Sequence, residues 1–241
     1  MKDWPLFAFN QDFQLFGAQH WVVLVAMVSA SLGLPWIARH GLNPRQQLRL
    51  SRIMAVLISF AALAYPFLMM WLGVFDYRTD LPLDVCNLTA LLLPFVMWRP
   101  TLRMHEILYF WVLGGTLQAI VTPHLFNGFP NFIFLKYWIV HAGLVVYVIY
   151  ATVVFELRPT LRSLRRSFLA LQGYVLFILI VNLLIGANYV YVLSKPPTAS
   201  ALDYLGPWPW YLLVAEGVAL LLFGMAYLPF TLLRRQKVRT E

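Results

Sequence analysis

A chain of 241 residues that is 61% hydrophobic and only 12% charged, with a mean hydropathy of +0.72, is not a soluble domain, in which about 25% of residues carry charge. Its formal net charge of +8 would suit nucleic acid, but the basic residues are parcelled out between apolar runs, with no basic face or reader motif, so no nucleic-acid partner is expected. A single cysteine excludes an internal disulfide and any four-thiolate zinc or iron–sulfur site, and no cofactor is implied.

In chain order, residues 1–19 are interrupted by Asp3, Pro5, Asn10 and Asp12 and hold no continuous apolar stretch, so no cleavable signal peptide is expected. The aromatic residues Trp4, Phe7, Phe9, Phe13 and Phe16 suit an arm lying near lipid headgroups. Apolar runs of about 20 residues are needed for a helix to cross the hydrocarbon. They fall at 20–38, 53–75, 81–98, 107–122, 136–157, 168–193 and 211–233. Merging the short third and fourth would bury Arg99, Pro100, Arg103, His105 and Glu106, so seven spans are preferred to six.

Loop charge then orients the bundle. Arg39, Arg45, Arg49 and Arg52 follow span one, Arg99 and Arg103 span three, and Arg158, Arg162, Arg165 and Arg166 span five; Arg234, Arg235, Lys237 and Arg239 form the tail. The opposite side keeps only Lys2, Arg78, Lys136 and Lys195 of the 18 basic residues. The positive-inside rule therefore predicts an all-α, polytopic bundle of seven transmembrane helices over 1–241, one domain, with the N-terminus outside and the C-terminus cytosolic. A plasma-membrane location follows from that reading.

The polar residues within the spans map toward the outer side. In the third span Asp80 is placed to cap the helix, with Pro82 in its first turn and Cys86 about one turn inside. A thiol near a helix N-terminus is a candidate nucleophile, against the plainer reading of a small buried hydrophobe. His141 lies at matching depth in the fifth span, as a base for that thiol or as an interhelical hydrogen-bonding group. Gln118 shares a stripe with Gly114 and Thr122 and could donate to an oxyanion or join helices. Asn182 and Asn188 near the end of span six, Glu216 early in span seven, and His20 at the edge of span one complete the polar set. Trp208 and Tyr211, in a proline- and aromatic-rich outer connection, suggest an interfacial lid or an aromatic belt. Glu156 is expected to pair with Arg158.

Three functional classes fit this pattern. One is a two-step nucleophilic enzyme built on Cys86 and His141. A second is a transporter or channel using Glu216, His141 and Asn182 as a polar path. The third is a sensor, including a metal site drawn from His20, His141, Cys86 and Glu216, although no ligand spacing announces one.

The runs LPLDVCNLTALL (81–92), GGTLQAIVTP (114–123), KYWIVHAGL (136–144), GANYVYVLSKPP (186–197) and LDYLGPWPWY (202–211), with the weaker AQHW (18–21), resemble the YwaF-like integral membrane proteins. The vertebrate relatives of that family are similar to membrane acyltransferases that remodel ether phospholipids. The resemblance implies phospholipid substrates, Cys86 as thioester-forming acyl carrier, His141 as the base for the incoming hydroxyl, and Gln118 or Asn188 as oxyanion donors.

Overall fold

The structure, a computed structural model, describes residues 12–98, 100–196 and 200–239, with 233–239 as backbone only. Most of the N-terminal arm therefore lies outside the described residues. Eight α-helices follow in order, and no strand occurs among the described residues.

Helix α1 (Ala18–Gly41) ends with Arg39 and His40 in its last turn, where positive charge suits the helix dipole. Helix α2 (Pro44–Trp71) opens on a reciprocal capping box: the Asn43 side chain accepts from Gln46 N–H at 3.0 Å, and Gln46 returns the bond to Asn43 N–H at 3.0 Å, with Pro44 in the first turn. The helix thus begins well before residue 53, and Arg45, Arg49 and Arg52, expected in a loop, ride on its first turns. Gly73, at φ +70°, turns the chain out of α2.

The segment leading to helix α3 (Val85–Trp98) is irregular. Asp80 does not cap that helix. Its carboxylate staples the preceding loop, accepting from Asp76 N–H at 2.9 Å and from the Thr79 hydroxyl at 3.0 Å. Asp84 is the residue before the helix, and Cys86 is the second residue within it.

The fourth apolar run is not one regular helix. Helix α4 (Leu102–Trp111) passes into a π-helical turn (Val112–Thr116) and then a short α5 (Leu117–Val121). Helix α6 (Phe132–Val154) starts on an Asn131 cap, and α7 (Leu161–Ile185) on a Thr160–Ser163 box. Gly186 ends α7 in the left-handed conformation (φ +66°), earlier than residue 193 expected from hydropathy. Two short 3₁₀ turns, Tyr189–Tyr191 and Ala201–Leu205, lead to helix α8 (Trp210–Arg239).

Among the described residues five helices are long and apolar enough to cross a membrane: α1, α2, α6, α7 and the Trp210–Leu232 part of α8; Val85–Trp98 is apolar but shorter. Their outward side chains, such as Leu32, Phe60, Phe95 and Leu184, are large and apolar, as a lipid-facing surface requires. Helix α6 packs against α1 and α2, α2 packs on α3, and α4 packs on α7, with α8 against the π-turn and α7. Gly143 makes the α2–α6 approach possible, since a Cβ there would stand 2.9 Å from Ile58 Cγ1.

The arginine-rich end is tied by side chains reaching across helices. Glu106, in the second turn of α4 and only 4% exposed, accepts from Ser163 at 2.8 Å and from Arg166 at 2.5 Å, joining α4 to α7. His105 beside it is buried against the Thr152 hydroxyl at 2.9 Å. Both residues therefore belong to the core, whereas the sequence placed them in a loop. Glu156 pairs with Arg39 at 3.0 Å, not with Arg158, which donates to the Thr152 carbonyl at 3.1 Å and so caps α6.

Candidate functional site

The polar residues of interest gather at the opposite end of the bundle, where α3 begins and α5 ends. Cys86 is half-buried, and its sulfur lies 3.4 Å from the hydroxyl of Thr116, the last residue of the π-turn. Around it, Asn87 on α3 donates to Asp84 at 3.3 Å and accepts from Lys136 of α6 at 3.2 Å. This leaves a positive and a negative group joined through one amide beside the thiol. Tyr174 of α7 donates to the Leu83 carbonyl, pinning the backbone three residues before the cysteine.

His141 lies one turn along α6 from Tyr137. Its Nδ1 is 2.8 Å from the Tyr137 carbonyl, and its ring stacks on the Tyr137 ring at 4.0 Å between centroids. A carbonyl only accepts, so Nδ1 carries a proton, and in the neutral imidazole Nε2 is the basic nitrogen. Tyr137 in turn donates to the Ala119 carbonyl at 2.6 Å. Among the described residues no hydrogen bond joins Cys86 and His141 directly; Lys136 lies within electrostatic reach of both.

Ala119 also lines a cavity of about 710 Å³, together with Gln118, Thr122, His124, Tyr191, Asp203 and Tyr204 among others. That size is ordinary for small-molecule sites, which run to roughly 300–1,000 Å³. Gln118 is exposed and faces this space rather than the thiol. A second cavity, about 70 Å³, is lined by Tyr65, Thr79, Asp80, Asp84, Asn87 and Lys136.

The other polar residues singled out in the sequence have local partners. Asn188 accepts from Leu193 and Ser194 N–H through Oδ1 and donates to Ser194 through Nδ2, which commits its amide to that turn. Asn182, fully buried, clamps the backbone of Tyr189 through both ends of its amide at 2.9 Å each. Glu216 accepts from Gln172, linking α8 to α7 at 2.5 Å. Trp208 donates to the Val192 carbonyl at 3.3 Å and Tyr211 to the Tyr191 carbonyl, so both hold the loop that walls the large cavity. His20 is fully buried, with Phe16 N–H donating to its Nδ1 at 3.0 Å and its Nε2 2.9 Å from the Ile120 carbonyl.

Glu216, His141 and Asn182 are thus bonded to separate neighbours and, among the described residues, form no continuous hydrogen-bonded chain. No group of three His, Cys, Asp or Glu side chains that could hold a metal occurs among the described residues, so His20, His141, Cys86 and Glu216 do not converge. Thr116, Tyr137, Lys136 and Tyr174 were not singled out in the sequence. Thr116 and Tyr137 stand in the very motifs quoted above; helix phase separates each from its neighbours, and for Thr116 the π-turn alters that phase.

The architecture defines a multi-pass, all-helical membrane protein with a polar cluster and a cavity at one end. Residues 15–227 match the TMEM164 family, and the chain belongs to that family. No curated protein and no solved structure matches it.

Proposed function

We propose that the chain is a lipid acyltransferase or lipid hydrolase of the plasma membrane, a single seven-helix domain with its N-terminus outside and its C-terminus cytosolic, acting on outer-leaflet phospholipids. The reading is supported by one observation above others: the only thiol of the chain sits in the first turn of α3, hydrogen-bonded to Thr116, which stands two residues before Gln118 in the wall of a cavity of about 710 Å³. The loop charges and the resemblance to YwaF-like proteins support the orientation and the lipid substrate.

In this reading His141 takes the thiol proton on Nε2, and the Cys86 sulfur attacks an acyl carbonyl of the donor phospholipid. The S–C bond forms as the ester C–O bond breaks, and the departing lysophospholipid oxygen takes the proton back from His141. An incoming hydroxyl, of a second lipid in transfer or of water in hydrolysis, then loses its proton to His141 and attacks the thioester. The acyl group moves to that oxygen as the C–S bond breaks, and the departing thiolate takes the proton back from His141. Gln118, facing the cavity, is the amide placed to orient substrate, and Trp208 and Tyr211 hold the cavity wall.

The test is acyl trapping. Purified protein in lipid is incubated with alkyne-tagged phospholipids and examined for a hydroxylamine-labile adduct in wild type and Cys86→Ala. A labile adduct lost in the variant is the expected result. Turnover retained by a folded Cys86→Ala protein overturns the mechanism and favours transport, which uptake by proteoliposomes would then measure.

A further inference from the structure

We propose that Thr116 is the positioning residue of the Cys86 thiol: its hydroxyl donates the hydrogen bond that holds the sulfur once deprotonated, and the π-turn aims it there. The inference rests on the acyl-carrier reading above and assigns that site a residue the reading does not use.

Thr116 is 1% exposed, and the Cys86 sulfur at 3.4 Å is the hydrogen-bond partner of its hydroxyl. Other helical threonines behave differently. Thr89 and Thr152 each return the hydroxyl to the carbonyl four residues back, at 2.6 and 2.7 Å, the usual arrangement for a threonine within a helix. Thr116 makes no such bond among the described residues. The reason lies in the backbone. At the end of the π-turn Leu117 N–H reaches back five residues to the Val112 carbonyl, and one residue of added winding rotates every later side chain by about 100° relative to a regular helix.

That turn is held from behind. A Cβ on Gly114 would lie 2.5 Å from the Phe223 ring of α8, so the glycine lets α8 press directly on the widened backbone. The ring itself is 2% exposed and is fixed by contacts with Phe110 and Phe168.

Besides His141, the base in the reading above, Asp84, Lys136, Tyr137 and Tyr174 lie within electrostatic reach of the thiol. Each is engaged elsewhere: Asp84 and Lys136 through Asn87, Tyr137 with Ala119, Tyr174 with Leu83. The side chain hydrogen-bonded to the sulfur is instead Thr116. A hydroxyl can donate to a thiol or a thiolate, but a thiolate cannot return the proton, so ionisation fixes Thr116 as the donor. Thr116 keeps its own proton throughout. The thiol proton goes to His141 as above.

The experiment uses the single cysteine as a spectroscopic reporter. The infrared S–H stretching band is recorded for the full-length protein in lipid, with Cys86→Ala as baseline, over a range of pH. Its position reports hydrogen bonding and its loss reports ionisation. Thr116→Val, close to isosteric, is expected to shift the band and to raise the midpoint of its loss by about one pH unit or more, tenfold less thiolate at any pH below the midpoint. Thr116→Ser should keep both near wild type. Acyl-adduct formation at fixed pH should slow about tenfold in Thr116→Val and recover in Thr116→Ser. If Thr116→Val fails to fold, Thr116→Ala gives the same comparison.

A band and midpoint unchanged in Thr116→Val overturn the proposal, as does a shifted band with an unchanged rate of acylation. An absent adduct in wild type overturns the acyl-carrier reading itself, and the role of Thr116 with it. The infrared result, obtained without substrate, separates the two failures.

Discussion

Replacing Asn182 by alanine removes the clamp on Tyr189, the first residue of the 3₁₀ turn that follows α7. The side chain is fully buried, and its amide bonds both the N–H and the C=O of Tyr189 at 2.9 Å. Tyr189 is itself only 5% exposed, so both groups lose their partner in a place with little water. An orphaned buried polar group costs about 1–3 kcal/mol, which gives about 2–6 for the pair. Polar ties in membrane bundles measure lower, about 0.6 on average and 1.7 at most, which gives about 1–3 for two. The overlap predicts a loss of about 2–3 kcal/mol. The effect should travel, because the Tyr189 hydroxyl accepts from Leu81 N–H and donates to the Tyr77 carbonyl, each at 2.9 Å. The clamp therefore steadies the loop from which α3 and Cys86 begin. Unfolding of bicelle-embedded protein by SDS, followed by tryptophan fluorescence, measures the change. Leu183→Ala, at a neighbouring position that is 66% exposed, serves as control and should stay within about 0.5 kcal/mol of wild type. Asn182→Ala within that same margin would refute the argument. Combining it with Tyr189→Phe should give less than the sum of the two, since both act on one strap.

Gly114→Ala sets a methyl 2.5 Å from the Phe223 ring, an overpacking cost of about 1–3 kcal/mol that the better helix propensity of alanine offsets only in part. Phe223→Leu in the same chain should recover some of it, and the same SDS titration reads both; an unchanged Gly114→Ala midpoint would show that the π-turn is not pressed by α8. The proposed orientation is checked in a Cys86→Ala background with single cysteines placed by Tyr204→Cys and Arg162→Cys. A membrane-impermeant maleimide should label the first on intact cells and the second only after permeabilisation, and the reverse pattern would invert the bundle.

Much of the helical content was legible because lipid demands long apolar runs with internally satisfied backbones. The ends were less so, for identifiable reasons. Hydropathy starts the second helix at residue 53, yet the Asn43–Gln46 box begins it at Pro44, because a cap responds to local hydrogen bonds and is indifferent to apolarity. At the other extreme, the apolar character of 168–193 outlasts its helix: Gly186 adopts φ +66° and breaks the run, and Val190 and Tyr191 follow at φ +59° and +55°. His105 and Glu106 illustrate a different limit. A charge next to arginines reads as a loop, and only the meeting of α4 with α7 reveals that Arg166 and Ser163 satisfy the carboxylate inside the bundle.

The site divides along the same line. Cys86 and His141 could be picked out because a thiol and an imidazole within apolar helices are few and costly. Which groups meet them could not, since that depends on rotation about helix axes. Gln118 was singled out in the sequence through its stripe with Gly114 and Thr122, and regular helix phase gave Thr116 of the same run no role. The π-turn decides it: it carries Thr116 inward to the sulfur and leaves Gln118 facing the large cavity. A two-residue spacing in the sequence thus becomes a division of labour in space, one side chain beside the sulfur and the other where a substrate would sit. In the acyl-carrier reading this predicts distinct signatures. Loss of Thr116 acts on the thiol before any lipid arrives, whereas Gln118→Ala acts only once one is bound, raising the lipid concentration needed for half-maximal acylation while leaving the S–H band where it was.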